Sequence, residues 1–122
     1  MAGPAATSMM PRPSRGQVWL ADFDPVTGHE QGGVRPALIV STDVFNHGPA
    51  EMAFLIPITT RDKRVRWQVP IRPPEGGLNR PSFLKCDDTR SLSVRRLIRP
   101  LGAVRPPTMA QVEDRLRILL QV

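Results

Sequence analysis

Two short polar stretches of this 122-residue chain have the residue types for phosphate chemistry. The first, Gly28-His29-Glu30-Gln31-Gly32-Gly33-Val34-Arg35-Pro36, sets a carboxylate, an amide and a guanidinium within six residues, Glu30 to Arg35, on a backbone loosened by glycine. Arg35 directly precedes Pro36 and an apolar run, so its backbone is restrained on one side while its side chain projects from the start of a strand. That is good placement for a phosphate clamp. The second stretch, Pro57-Ile58-Thr59-Thr60-Arg61, ends an apolar run in two hydroxyls and a guanidinium. Each hydroxyl can donate one hydrogen bond to a phosphate oxygen, and Arg61 adds charge. Taken singly, each stretch also has a plainer reading: a surface ion pair between Arg35 and Glu30, or a threonine bonded to nearby backbone. A third polar group, Asp87-Asp88-Thr89-Arg90, follows the lone Cys86, but two adjacent carboxylates fall short of the oxygen ligands a hard cation requires. Two histidines, His29 in the first stretch and His47 in a Phe-Asn-His-Gly turn, are another route to this chemistry, and neither is expected to be essential.

The partner is expected to be anionic. Seventeen basic residues against eleven acidic ones give a formal charge of +6, and only Lys63 and Lys85 are lysine. The rest are arginines, whose planar forks suit phosphate better than an ammonium does. At this length there is room for one domain and not for a separate cofactor module. The single cysteine excludes an internal disulfide and lacks the spacing of a zinc or redox motif, which fits a reducing cytoplasm. No apolar stretch approaches the ~20 residues of a membrane helix, and the first residues lack the apolar core of a signal peptide.

The elements that must position these residues are mostly strands. Fourteen prolines spread along the chain leave little room for long helices. Residues 1–14 are rich in Pro, Ala and Ser without a period and are expected to form a disordered tail, leaving 15–122 as the domain. Gln17 to Phe23 is β-prone and ends at Asp24-Pro25; the twelve residues from Pro25 to Pro36 then form a loop of a length that is often functional. The runs ALIVS (37–41) and MAFLIPI (52–58) read as strands buried on both sides. Val65, Trp67, Val69 and Ile71 alternate with Arg66, Gln68 and Pro70, predicting a strand with one apolar face. A short strand at 82–86, a turn capped by Ser93 and a last strand through IRPLGAV follow. Met109, Val112, Leu116 and Leu119 fall at helical spacing, with Thr108 and Gln111 as a capping box, predicting a C-terminal helix. Five to six short strands and one helix predict a mainly β fold, a small antiparallel barrel.

Together the stretches carry a resemblance. The opening RGQVW, the DFDP turn, GHEQGGVRP, the strand end LIPITTR and the later DDTRS and Arg96-Leu97 block, all in register, are similar to the MazF/PemK family of toxin endoribonucleases over most of the chain. That likeness implies an SH3-like β-barrel and a homodimer. It implies metal-independent, sequence-specific cleavage of single-stranded RNA, mRNA included, with no cofactor and with arrest of translation and growth. It also implies a cognate antitoxin, which on physical grounds would bring an acidic, disordered segment to a cationic groove. By motif, Arg35 and Thr59 would act at the scissile phosphate with Glu30 in support, and Gln31, Thr60, Arg61 and Arg90 would contact RNA. Asp88 and Thr89 depart from the family's usual pattern, which bears on base recognition. Of the few aromatic residues, Phe23 lies beside the long loop and is the one placed to stack a base, although core packing is its more ordinary role.

The residue types agree with such a reaction. The 2′-hydroxyl is the nucleophile, so the protein has only to move protons and stabilise the charge of a phosphorane. Arg35 and Thr59 supply the donors. The likeness also assigns acid or base work to the arginine, but a guanidinium with a pKa above ~12 is a poor base, and Glu30 and His29 are the nearest titrating groups. Two other readings stand beside the enzyme: a non-catalytic toxin on the same barrel that binds and poisons DNA gyrase, and a basic nucleic-acid-binding module.

Overall fold

A computed structural model describes residues 10–24 and 32–122. Among the described residues the strands are β1 (Gln17–Asp22), β2 (Val34–Ile39), β3 (Met52–Thr59), β4 (Gln68–Ile71), β5 (Ser82–Lys85), β6 (Arg90–Ser93) and β7 (Leu97–Ala103). A four-residue helix α1 (Asp43–Asn46) precedes β3, and helix α2 (Pro106–Leu120) ends the chain. The strands form one antiparallel sheet in the order β4-β5-β3-β2-β1-β7, with β6 paired to β3 off that path. The long β3 pairs with β6 along its first half, with β2 in its middle and with β5 at Ile58 and Thr59, so it passes through the bend of the sheet. The two edges meet where the 3-10 turn Glu75–Gly77 lies on β7. Contact there is backbone to backbone, since a Cβ on Gly77, whose φ is +70°, would lie 1.9 Å from the Leu101 carbonyl oxygen.

Both faces of the central strands are buried, as continuous apolar runs require. Inside the curl lie Val18, Leu38, Ile56, Ile58, Val69, Ile71 and Leu84, closed by Val112 of α2, with Met109, Leu116 and Leu119 packed alongside. The outer side carries a second cluster: Trp19, Ala21, Phe23, Ala37, Ile39, Ala53, Leu55, Val94 and Leu97. Each fully buried aliphatic side chain contributes about 1.5–3 kcal/mol. Rigid strands flanked by two apolar clusters are a firm base for side chains at their ends.

Several local expectations need correction. The strand expected across Val65 to Ile71 begins only at Gln68, because Gln68 is buried and its amide is tied to the incoming loop: Oε1 accepts from Lys63 N at 3.0 Å, and Nε2 donates to the Arg61 carbonyl at 3.2 Å. Val65 is left exposed. β6 was not expected at all; its four residues, RSLS, lie between 3-10 turns and gain strand geometry by pairing with β3. The capping box also fails. α2 starts at Pro106 with Arg105 as N-cap, and Thr108 is buried inside the helix, donating to Glu75 Oε2 at 2.6 Å. That carboxylate also accepts from Arg105 N at 2.8 Å, so the cap is supplied from a turn some thirty positions upstream. Residues 10–14 do not behave as a tail either: Pro13 is fully buried with its carbonyl against His47 Nε2 at 2.8 Å, and Met10 packs on the outer cluster. Residues 1–9 lie outside the described residues. Ser93 does cap its turn, accepting from Arg95 N.

Candidate active site

The register of β2 on β3 brings the two polar stretches together. Ala37 pairs with Pro57, Leu38 with Ile56 and Ile39 with Leu55. The ladder ends at Ala37 and Pro57, and Arg35 and Thr59 lie two residues beyond that pair, on the outer face with Ala37, Ile39 and Leu55 by strand alternation. β1 agrees, since Ala21 of the outer cluster is the partner of Arg35. The Phe83 position of β5 is the paired neighbour of Thr59. Strand alternation then puts Phe83 and Lys85 outward and the buried Ser82 and Leu84 inward.

Arg35 is partly buried and donates from Nε to the Gly32 carbonyl at 2.8 Å. Among the described residues neither of its terminal nitrogens has a protein partner, so two parallel donors remain for an anion. Thr59 is 8 % exposed, and its Oγ1 accepts from Arg61 N at 3.1 Å. The plain reading of this threonine and the functional one are compatible: accepting that bond orients the oxygen and leaves its O–H to donate. Thr60 and Arg61 lie exposed just beyond.

The other end of this face is an ion cluster. Asp88 Oδ2 receives Arg90 Nη2 at 2.9 Å and Lys85 Nζ at 3.5 Å. The Arg90 guanidinium carbon stands 4.9 Å from the centroid of the Phe23 ring. Phe23 is 2 % exposed, so the base-stacking role placed on it is not supported: its ring is a floor for Arg90. Thr89 donates to the Cys86 carbonyl at 2.8 Å. Burial pushes the Cys86 thiol up to about 11, with Arg115 lowering and Asp87 raising it to lesser extents. Concavities of about 480 and 780 Å³ lie elsewhere, beneath residues 10–12 and between residues 70–77 and α2, and neither includes Arg35 or Thr59.

A family model described as PemK-like, MazF-like toxin of type II toxin-antitoxin system matches residues 14–120. The chain belongs to this family. It is 30% identical over 113 residues to endoribonuclease MazF9 of Mycobacterium tuberculosis, covering 88% of this chain and 96% of the relative. A solved MazF of Deinococcus radiodurans superposes with a TM-score of 0.81 at 30% identity, covering 92% of this chain and 99% of the other. The MazE-MazF complex of the same organism gives a TM-score of 0.75 at 31% identity over 92% and 98% of the two chains.

Of the positions the MazF/PemK likeness singles out, Arg35, Thr59 and Arg90 stand on the outer face by strand alternation and pairing, and Thr60 and Arg61 follow the end of β3. Glu30, Gln31 and His29 lie outside the described residues. Lys85, which pairs with Asp88 on this face, and Asp24, which accepts from Gly33 N at the neck of the loop, were not singled out from the sequence. For Lys85 the signal was present in SFLK, whose alternation sends it outward beside Phe83. For Asp24 it was the Asp-Phe-Asp repeat, whose role depends on a contact nine residues away.

Proposed function

We propose that this protein is the toxin of a type II toxin-antitoxin pair, a sequence-specific endoribonuclease that cuts single-stranded RNA, mRNA included, without a metal ion and so arrests translation and growth. It would act as a homodimer. What supports this reading most is that Arg35 and Thr59 stand at the same end of neighbouring strands, with no partner for the Arg35 terminal nitrogens among the described residues.

In the reaction O2′ attacks the adjacent phosphorus, the P–O5′ bond breaks, and the products are a 2′,3′-cyclic phosphate and a 5′-hydroxyl. The proton leaves O2′ and one is delivered to O5′. Negative charge accumulates on the non-bridging oxygens in between. The Arg35 fork donates to that charge with two aligned bonds, and the Thr59 O–H adds a third; donors fixed before the reaction need no reorganisation during it. Proton transfer calls for a group that titrates. Glu30 and His29 are the two in the adjoining loop, and pH–rate profiles of Glu30→Gln and His29→Ala separate them.

The antitoxin reading is supported by the charge of +6 and by the solved complex of the Deinococcus MazF with MazE. An acidic segment laid along the Arg35–Arg90 face would exclude RNA by occupying the same donors.

The test is incubation of purified protein with a long RNA in EDTA. Cleavage at a defined motif, with cyclic phosphate ends and loss in Arg35→Ala, is the expected result. Intact RNA, or cleavage undiminished in Arg35→Ala, overturns the reading.

A further inference from the structure

The neck of the loop between β1 and β2 is tied by several hydrogen bonds, two of which meet on one peptide unit, Gly32-Gly33. Asp22 Oδ1 accepts from Asp24 N at 3.0 Å, which turns the Asp24 carboxylate across the neck. Asp24 Oδ1 then accepts from Gly33 N at 2.9 Å, and Phe23 N donates to the Gly33 carbonyl at 2.9 Å. Gly33 N–H and the Gly32 carbonyl belong to the same peptide plane, and in a trans peptide they point in opposite directions. On its other side that plane offers the Gly32 oxygen to Arg35 Nε at 2.8 Å. Gly33 has a φ of +79°, and both residues of the unit are glycine, so nothing intrinsic to the chain prevents this plane from rotating.

We infer that Asp24 is the positioning residue for Arg35. This rests on Arg35 acting in RNA cleavage as proposed above. The carboxylate holds the N–H side of the Gly32-Gly33 peptide, which fixes the direction of the carbonyl, which fixes the guanidinium. Accepting the N–H with a charged group also polarises the peptide and strengthens its oxygen as an acceptor. The carbonyl orients Arg35 through Nε alone, without cancelling its charge. Asp24 itself touches no substrate; its effect passes through the peptide.

The experiment compares Asp24→Ala and Asp24→Asn with wild type by cleavage kinetics in EDTA, thermal melting and the Arg35 Nε–H signal in 15N NMR. Asn keeps an oxygen acceptor for Gly33 N, whereas Ala does not. Asp24→Ala is expected to lower kcat about 10- to 100-fold with KM within about threefold, since a small misplacement of a catalytic group costs that much. The slowly exchanging Nε–H signal is expected to disappear in Asp24→Ala. Asp24→Asn is expected to restore both the rate, within about threefold, and the signal. An unchanged Nε–H signal in Asp24→Ala overturns the inference, as does an equal defect in both variants or a rate loss accounted for by unfolding. Because the NMR readout is independent of cleavage, an inactive wild type would contradict the RNase reading and leave the positioning of Arg35 to be decided by the signal.

Discussion

Arg35 and Arg90 lie on the same side of one sheet and are held in opposite ways. Arg90 is paired with a carboxylate at 2.9 Å and laid over an aromatic ring, so its charge is largely answered by the protein. Arg35 is held at Nε by a neutral carbonyl. Among the described residues, then, orientation and neutralisation are separated: the guanidinium proposed to receive a developing charge is steered by a dipole, while Arg90 is given a counter-ion. The same sheet supports both because β3 pairs Leu55 with Arg90 near its middle and carries Thr59 at its end.

The strongest way to break this comparison is Arg35→Lys. A lysine keeps the charge but loses the fork and the Nε bond to Gly32, and cleavage is expected to fall about 100-fold in single-turnover assays. Activity near wild type would mean that charge alone suffices there. Thr59→Val removes one donor at nearly constant volume and is expected to lower the rate by about 10- to 100-fold with the fold intact by circular dichroism. The roles then reverse. Arg90→Ala strips Asp88 and Phe23 of their partner and is expected to cost about 1–3 kcal/mol in urea unfolding, whereas Arg35→Ala is expected to cost under about 1 kcal/mol. Equal costs would erase the distinction between the two arginines. The smallest effect is a control on the inner side of the sheet. The unfolded Cys86 thiol ionises near 9.0 and the folded one near 11, so the native state holds its proton more tightly. Stability is therefore undiminished by this group below about 9, falls as pH rises from there, and levels off past about 11. Cys86→Ala is expected to flatten that decline.

What was legible in the sequence followed from local pattern. The run at 52–58, the helical spacing of Met109 to Leu119 and the Ser93 cap are each decided by neighbours a few residues apart, and each appears, while the run at 37–41 appears shifted, as Val34–Ile39, with three residues of the expected loop in the strand. The GHEQGGVRP and PITTR stretches identified Arg35 and Thr59 as chemically equipped, but only the pairing of β2 with β3 puts them at the same end of neighbouring strands. What was missed is non-local. β6 exists because β3 offers it a ladder, α2 is capped by Glu75 from a turn distant in the chain, and Phe23 is closed off by Arg90. The alternation through Val65 and Trp67 misled because a buried Gln68 amide holds the loop back from the sheet.

The most direct measurement separates binding from chemistry for Arg35. Single-turnover cleavage of a labelled RNA in EDTA, run beside binding of the same RNA carrying a 2′-deoxy sugar at the cut site, compares Arg35→Ala with wild type. A guanidinium oriented for the phosphorane predicts a rate constant lower by about 100-fold or more with Kd changed by less than about tenfold. A rate constant that is unchanged, or a loss found wholly in Kd, would contradict it.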